Sequence, residues 1–370
     1  MRAPSPASNR LTSPRSKQAE PDVSLLRHFT GPLIFAAVCL ALGAWYGWSD
    51  GGGLAGLLRV VWIVLVLSVL EVSLSFDNAV VNATVLQGMN EVWRKRFLTW
   101  GMIFAVYGMY IAFPLAIVAI AAGIGPIDAF RLSLADPERY EVLVSSAHTG
   151  IAGFGGAFLA MVGLKFFFDS DKEVHWIDVV ERHLVRFAAL PAVTIVTVLL
   201  ALAAISTQLP APEAKRFLGA GILGIATHVV VQAAGRMLEQ REARLQQAGH
   251  AVQSGLGAFI YLNVLDATFS FDGVIGAFAL SNNMVVIALG LSVGAMFVRS
   301  MTVLLVRQGT LAEYRFLEHG AFWAILALGA IMLLSVRFDV PDSVTGLVGA
   351  VLIGLSLWRS IAHNRQASAH

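Results

Sequence analysis

Ten apolar segments, most of them near the roughly 20 residues needed to cross a hydrocarbon core about 30 Å thick, recur along this chain. They lie at about 32–48, 57–86, 97–122, 148–168, 187–205, 217–237, 253–280, 285–306, 320–336 and 343–360. In lipid every backbone N–H and C=O must be paired internally, so segments of this kind can only be helices. Charged residues make up 14% of the chain, against about 25% in soluble proteins, which argues for many spans rather than one anchor. The expected fold is therefore all-α and polytopic, with about ten transmembrane helices. Its partner by composition is the lipid bilayer, and nothing points to nucleic acid. The separators read as loops: Gly51-Gly52-Gly53, the charged stretch Glu91–Arg96, the polar run 128–141 and Pro210-Ala211-Pro212.

Lysine and arginine positions fix the expected orientation through the positive-inside rule. Of the 26 such residues, only Arg299 falls more than three residues inside a span. With a cytoplasmic N-terminus, Arg59, Arg131, Arg139, Lys215, Arg216 and Arg337 lie outside, and the other nineteen lie inside. Both termini are thus expected in the cytoplasm. Residues 1–30, rich in Pro, Ser and basic side chains, read as a disordered cytoplasmic tail rather than a cleaved signal. Residues 363–370 read as a short second tail. The lone Cys39 excludes a disulfide framework or cysteine metal cluster.

One word occurs twice. Glu71-Val-Ser-Leu-Ser-Phe-Asp77-Asn78 in the second span returns as Asp266-Ala-Thr-Phe-Ser-Phe-Asp272-Gly273 in the seventh. Five crossings separate the copies, so they should traverse the membrane in opposite directions, as in inverted-repeat transporters with a midplane site. The expected repeats are 31–205 and 206–362. Gly156-Ala-Phe-Leu-Ala160 and Gly320-Ala-Phe-Trp-Ala324 form a weaker pair, also five spans apart.

A carboxylate at membrane depth costs at least ~2.5 kcal/mol on insertion scales, so a structural role for any single acid is as plausible as a functional one. Four in a repeated pattern favour a site. On a helix Glu71, Ser75, Asn78 and Asn82 share one stripe, whereas Asp77 lies off it with Ser73 and Thr84. Asp266 shares a stripe with Ser270, and Asp272 with Thr268. Each word is expected to present oxygens around a bend, with Gly273 and Gly276 letting the second helix unwind. Carboxylate, hydroxyl and amide oxygens suit hard divalent cations. Arg299 could serve as counter-charge to Asp266 or Asp272. His228 with Gln232, and Lys165 with Asp169, are weaker pairs. His228 is more often a packing residue than a relay. Trp176, Ile177, Val180 and Leu184 give 173–186 the spacing of a surface amphipathic helix. No phosphate loop, nucleophile elbow or zinc-protease motif occurs, so neither an enzyme nor a bound cofactor is expected.

The words Ser75-Phe76-Asp77-Asn78 and Phe271-Asp272-Gly273 resemble the acidic motifs of the TerC family of bacterial integral membrane proteins, and in particular a subgroup with no assigned function. Supporting words are Arg96-Phe-Leu-Thr-Trp100-Gly101, Leu164-Lys165-Phe-Phe-Phe-Asp169 and Tyr314-Arg-Phe-Leu-Glu-His-Gly320. The likeness runs from about Leu58 to Leu334. It implies an inner-membrane protein of the manganese-exporter type, with Asp77, Asn78 and Asp272 at the matching positions. Typical members carry Ser where this chain has Gly273. Export of a divalent cation, most naturally manganese(II), against protons is the leading expectation. The alternative is a non-transporting scaffold of an envelope-stress or tellurite-resistance complex. A second copy of the chain is the one protein partner left open.

Overall fold

Helices with one outward apolar stripe and one inward small or polar stripe build this molecule. The computed structural model describes residues 25–101, 103–168, 174–185, 192–247, 255–278, 280–308, 313–338 and 340–367. All regular structure among them is helical. In chain order the α-helices are α1 (Leu25–Gly47), α2 (Gly53–Leu74), α3 (Phe76–Gln87), α4 (Glu91–Arg96), α5 (Phe113–Ala122) and α6 (Pro126–Ala135). They continue with α7 (Pro137–Ser146), α8 (His148–Phe167), α9 (Asp178–Val185), α10 (Val193–Ser206), α11 (Ala211–Gln247) and α12 (Leu256–Phe278). The last are α13 (Met284–Gln308), α14 (Leu317–Ser335) and α15 (Asp342–Ala367). Wider π-helical turns occupy Trp48–Gly52, Phe97–Gly101 and Phe104–Ala112.

Among the described residues seven helices are long and apolar enough to cross a membrane, and three shorter apolar ones complete a set that falls on the ten sequence segments. Helix α2 shows the division of faces. Leu58, Trp62, Leu65 and Val69 are exposed, whereas Val64, Leu67, Ser68 and Glu71 are buried. Such an exposed apolar stripe belongs against lipid. The protein is an all-α polytopic membrane protein.

Several sequence expectations need correction. Helix α1 begins at Leu25, so the end of the expected 1–30 tail is helical, while residues 1–24 lie outside the described set. Helix α15 likewise runs to Ala367, into the expected second tail. The run 128–141 is a helical hairpin instead of a loop. Pro126 and Pro137 sit at helix starts, where their missing N–H costs nothing, and the Asp136 side chain caps α7 by accepting from the Arg139 N–H. Tyr140 then packs inward on Phe278 and donates to the Met284 sulfur. The charged stretch Glu91–Arg96 is also helical, and its Arg94 guanidinium donates to the carbonyls of Leu86, Gln87 and Met89. That contact closes the C-terminus of α3, where a cation is favourable.

The core is set by close helix approaches at glycine, as expected where lipid offers no hydrophobic drive for association. Gly290 and Gly294 of α13 face α2. A Cβ at Gly290 would lie 2.5 Å from the Leu67 Cβ, and one at Gly294 would overlap the Glu71 side chain. The Ser68 hydroxyl bridges the pair, pointing at the carbonyls of Val64 and Gly290, 2.6 and 3.0 Å away. Helices α8 and α14 meet similarly, with Gly156 against Gly329. Replacing Gly294 with Val should therefore destabilise the protein by about 1–3 kcal/mol through overpacking. Gly150, where a Cβ meets nothing within 4 Å, should tolerate Ala. Thermal melting of both variants in detergent checks the contrast.

Candidate functional site

Helix α2 ends inside the first acidic word. Ser75 leaves the helical run with φ −103° and ψ 14°, its N–H still bonded to the Glu71 carbonyl, and α3 restarts at Phe76. The second word behaves differently, for α12 runs unbroken through Gly273 and Gly276. Gly273 does not unwind its helix. It lets the backbone approach Glu71, whose Oε2 would lie 3.0 Å from a Cβ there.

The two words meet at a cavity of about 50 Å³. Glu71, Ser75, Asn78 and Asn82 of the first word line it, as their shared stripe requires. Asp266 and Ser270 line it from α12. Glu71 is 3% exposed and accepts hydrogen bonds at Oε1 from the hydroxyls of Ser75 (2.7 Å) and Tyr110 (2.8 Å). The Asn82 amide donates to Asp266 Oδ1 at 2.7 Å, joining the words directly. A carboxylate pairs with the NH₂ end of an amide, so this bond fixes which way Asn82 points. Its Oδ1 and that of Asn78 are buried and accept no hydrogen bond among the described residues. Unpaired buried acceptors are uncommon and costly, and here two of them belong to residues on one cavity wall.

Other sequence candidates fall elsewhere. Asp77 is buried but does not line the cavity. Its Oδ1 accepts from the Asn78 N–H in the first turn of α3, where a negative charge suits the helix dipole. Thr268 donates to the Val264 carbonyl, and its methyl faces Gly155 of α8. The backbone of Asp272 is helical, and its side chain lies outside the described residues, as does Asp169. Arg299 does line the cavity, but its Nε donates to the Leu98 carbonyl at 2.6 Å. No ion pair joins it to Asp266 among the described residues. His228 lines a separate space between α8, α11 and α12.

Two polar cavity residues were not apparent from the sequence, Tyr110 and Thr302. Tyr110 occupies a π-helical turn, a feature often found at functional sites, and its only sequence signal is a phenol in a largely apolar span, a signal that Tyr107 shares. Thr302 is one turn beyond Arg299, and that spacing alone could have found it. No cluster of three or more His, Cys, Asp or Glu side chains with metal-holding geometry occurs among the described residues. Any cation in this cavity would therefore be held by two carboxylates supplemented by neutral oxygens. Electrostatically the wall carries two acids and one guanidinium.

The Asn82–Asp266 bond gives a direct check. Asn82→Leu leaves a buried carboxylate without its donor and should lower stability by about 1–3 kcal/mol. Asn78→Ala removes an oxygen with no partner and should cost clearly less. Melting temperatures in detergent should rank the two.

A family model described as "Protein of unknown function (DUF475)" matches residues 76–367, about four-fifths of the chain. The match takes in α3 and α12 but starts after Glu71. No curated protein and no solved structure matches the chain.

Proposed function

The chain belongs to the family described as "Protein of unknown function (DUF475)", and we propose that it is a secondary transporter exporting a hard divalent cation, manganese(II) foremost. The observation that carries this reading is the convergence of both acidic words on one small cavity, lined by two carboxylate residues and by two asparagines whose buried amide oxygens have no hydrogen-bond partner among the described residues. Divalent cations of this class prefer such oxygen sets. The volume of about 50 Å³ suits an ion with a little water, since one water needs some 10–15 Å³ on this measure. Ligands of drug size occupy roughly 300 Å³ or more, so an organic solute fits poorly.

Glu71 and Asp266 are the primary ligands in this proposal, with Asn78, Asn82 and Ser75 supplementing them. Asp77 acts at the start of α3, orienting Asn78. The likeness of the motif words to the TerC family supports a metal cargo, and the lysine and arginine bias supports an inner-membrane protein with both termini in the cytoplasm. Proton antiport is the drive, because carboxylates emptied of a divalent ion within an apolar protein need another positive partner. The break at Ser75 gives the first word a hinge, as broken helices do in other transporters.

The test is cellular content across a panel of divalent metals in cells carrying the protein, Glu71→Gln or Asp266→Asn. The wild-type should lower the content of one metal severalfold, and either substitution should abolish that effect at unchanged membrane abundance. Wild-type export by both variants overturns the proposal. If instead both variants lose abundance and no metal differs, the scaffold reading takes its place.

A further inference from the structure

Arg299 is a guanidinium on the wall of the acid-lined cavity, yet it pairs with neither acid among the described residues. It shares a stripe of α13 with Ala295 and Thr302, and all three line the space that Glu71 and Asp266 also line. Gly294 marks the level of Glu71, because a Cβ there would overlap that side chain. Arg299 comes five residues later, about 7.5 Å further along the helix axis. It therefore stands toward the end of the cavity formed by Phe97, Leu98 and Thr302. The lysine and arginine bias supports that end as the cytoplasmic one.

The bonding of this guanidinium is one-sided. Its Nε donates to the Leu98 carbonyl at 2.6 Å, and its two terminal nitrogens have no hydrogen bond among the described residues. Unlike the amide oxygens of Asn78 and Asn82, those nitrogens are not among the sealed polar atoms. Asp266 on the same wall is in a matching position. Asn82 donates to its Oδ1, while its Oδ2 has no hydrogen bond among the described residues and is not sealed. Glu71 is the poorer partner, being 3% exposed with its Oε1 already accepting from Ser75 and Tyr110. In surroundings of low polarity an ionised carboxylate attracts a guanidinium far more than a neutral carbonyl does. Arg299 on Leu98 is therefore the arrangement that suits an Asp266 whose charge is matched by something else, as a divalent cation on both acids would match it.

We infer that Arg299 is the internal counter-ion of the transport cycle, resting on the Leu98 carbonyl while a divalent cation holds Glu71 and Asp266 and moving onto Asp266 when that cation leaves. The inference rests on the transport reading and assigns a role within it. A guanidinium has no acceptor atom, so Arg299 is not a ligand of the cargo. Its work belongs to the half of the cycle in which the carrier returns without an ion. The cavity of about 50 Å³ has room for only a few water molecules, so the change of partner is a movement of one side chain. With Arg299 on Asp266, a single proton on Glu71 completes the neutralisation. Without Arg299 both acids need a proton before the carrier can return.

The experiment uses the full chain in proteoliposomes loaded with radiolabelled manganese(II). Two fluxes are followed in each preparation: net efflux into metal-free buffer, and exchange against external manganese(II). Net efflux requires the ion-free carrier to return, whereas exchange does not. Their ratio is independent of how much of the protein is folded. Arg299→Gln should lower net efflux about tenfold, in line with the loss of one charge-assisted pair, and leave exchange little changed. Arg299→Lys keeps the charge without the planar fork and should restore most of the net efflux. A ratio that Arg299→Gln leaves unchanged, or the loss of both fluxes together, overturns the inference and leaves the transport reading standing. A wild type that carries manganese(II) in neither assay removes the transport reading for this ion, and the inference with it.

Discussion

Glu71 is the side chain around which the helices are arranged. A carboxylate buried in the membrane-spanning part of a protein must be matched on every side, and here four chain segments do the matching. Gly294 on α13 yields space to its Cβ and Cγ, and Gly273 on α12 lies against its Oε2. Ser75 and Tyr110 donate to its Oε1. Both donors need defined backbone positions. Ser75 reaches back four residues from the place where α2 ends, and Tyr110 reaches in from a π-helical turn. The close packing of α2 on α13 and the polar wall of the cavity are one construction, since the glycines that admit the acid also draw the helices together.

Two copies of one word have divergent local structures, and the difference has a physical origin. In the first, Asn78 follows the second acid, and α3 starts afresh at Phe76 with Asp77 in its opening turn. A new N-terminus places unpaired N–H groups beside a carboxylate, which stabilises both. In the second, Gly273 follows the acid and the helix continues. Glycine would tolerate an unwound backbone, yet tolerance is not a driving force within lipid, where a broken helix exposes groups that must be paired again. Packing decided the outcome, and the missing side chain became room for Glu71.

Much of this was legible beforehand. The ten apolar segments fall on the helices because apolar length in lipid admits one solution, and the stripe of Glu71, Ser75, Asn78 and Asn82 lines the cavity because helical periodicity is reliable over three turns. The same periodicity set Asp77 apart, and its side chain is absent from the wall. What escaped were features that depend on contacts between distant segments. Arg299 seemed destined for an acid, but Leu98 offers its carbonyl first, at 2.6 Å. The 128–141 run looked like a loop because its charges mask two short helices whose starts are marked only by Pro126, Asp136 and Pro137. Glu181 also escaped. It was hidden in the charged connection before α10, yet it is 2% exposed and accepts from the N–H groups of Trp176 and Ile177 and from the Trp323 indole.

The two cavities, the acid-lined one and the larger space beside His228, differ in the polar groups that line them. The smaller one pairs carboxylates with orphaned carbonyl oxygens, an excess of acceptors that only a donor or a cation can satisfy. The larger one is lined by polar groups of both signs, Lys165 and Arg236 with Glu239, beside His228, whose ring nitrogens are buried with no hydrogen-bond partner among the described residues. Buried polar groups left without partners are expensive, so their sign is informative. Asn78 and Val85 connect the two spaces along a single face of α3, since the residues at the cavities are spaced at 78, 82 and 85. Val85 lies one turn from the Asn82 amide that holds Asp266, so the two spaces share one helix.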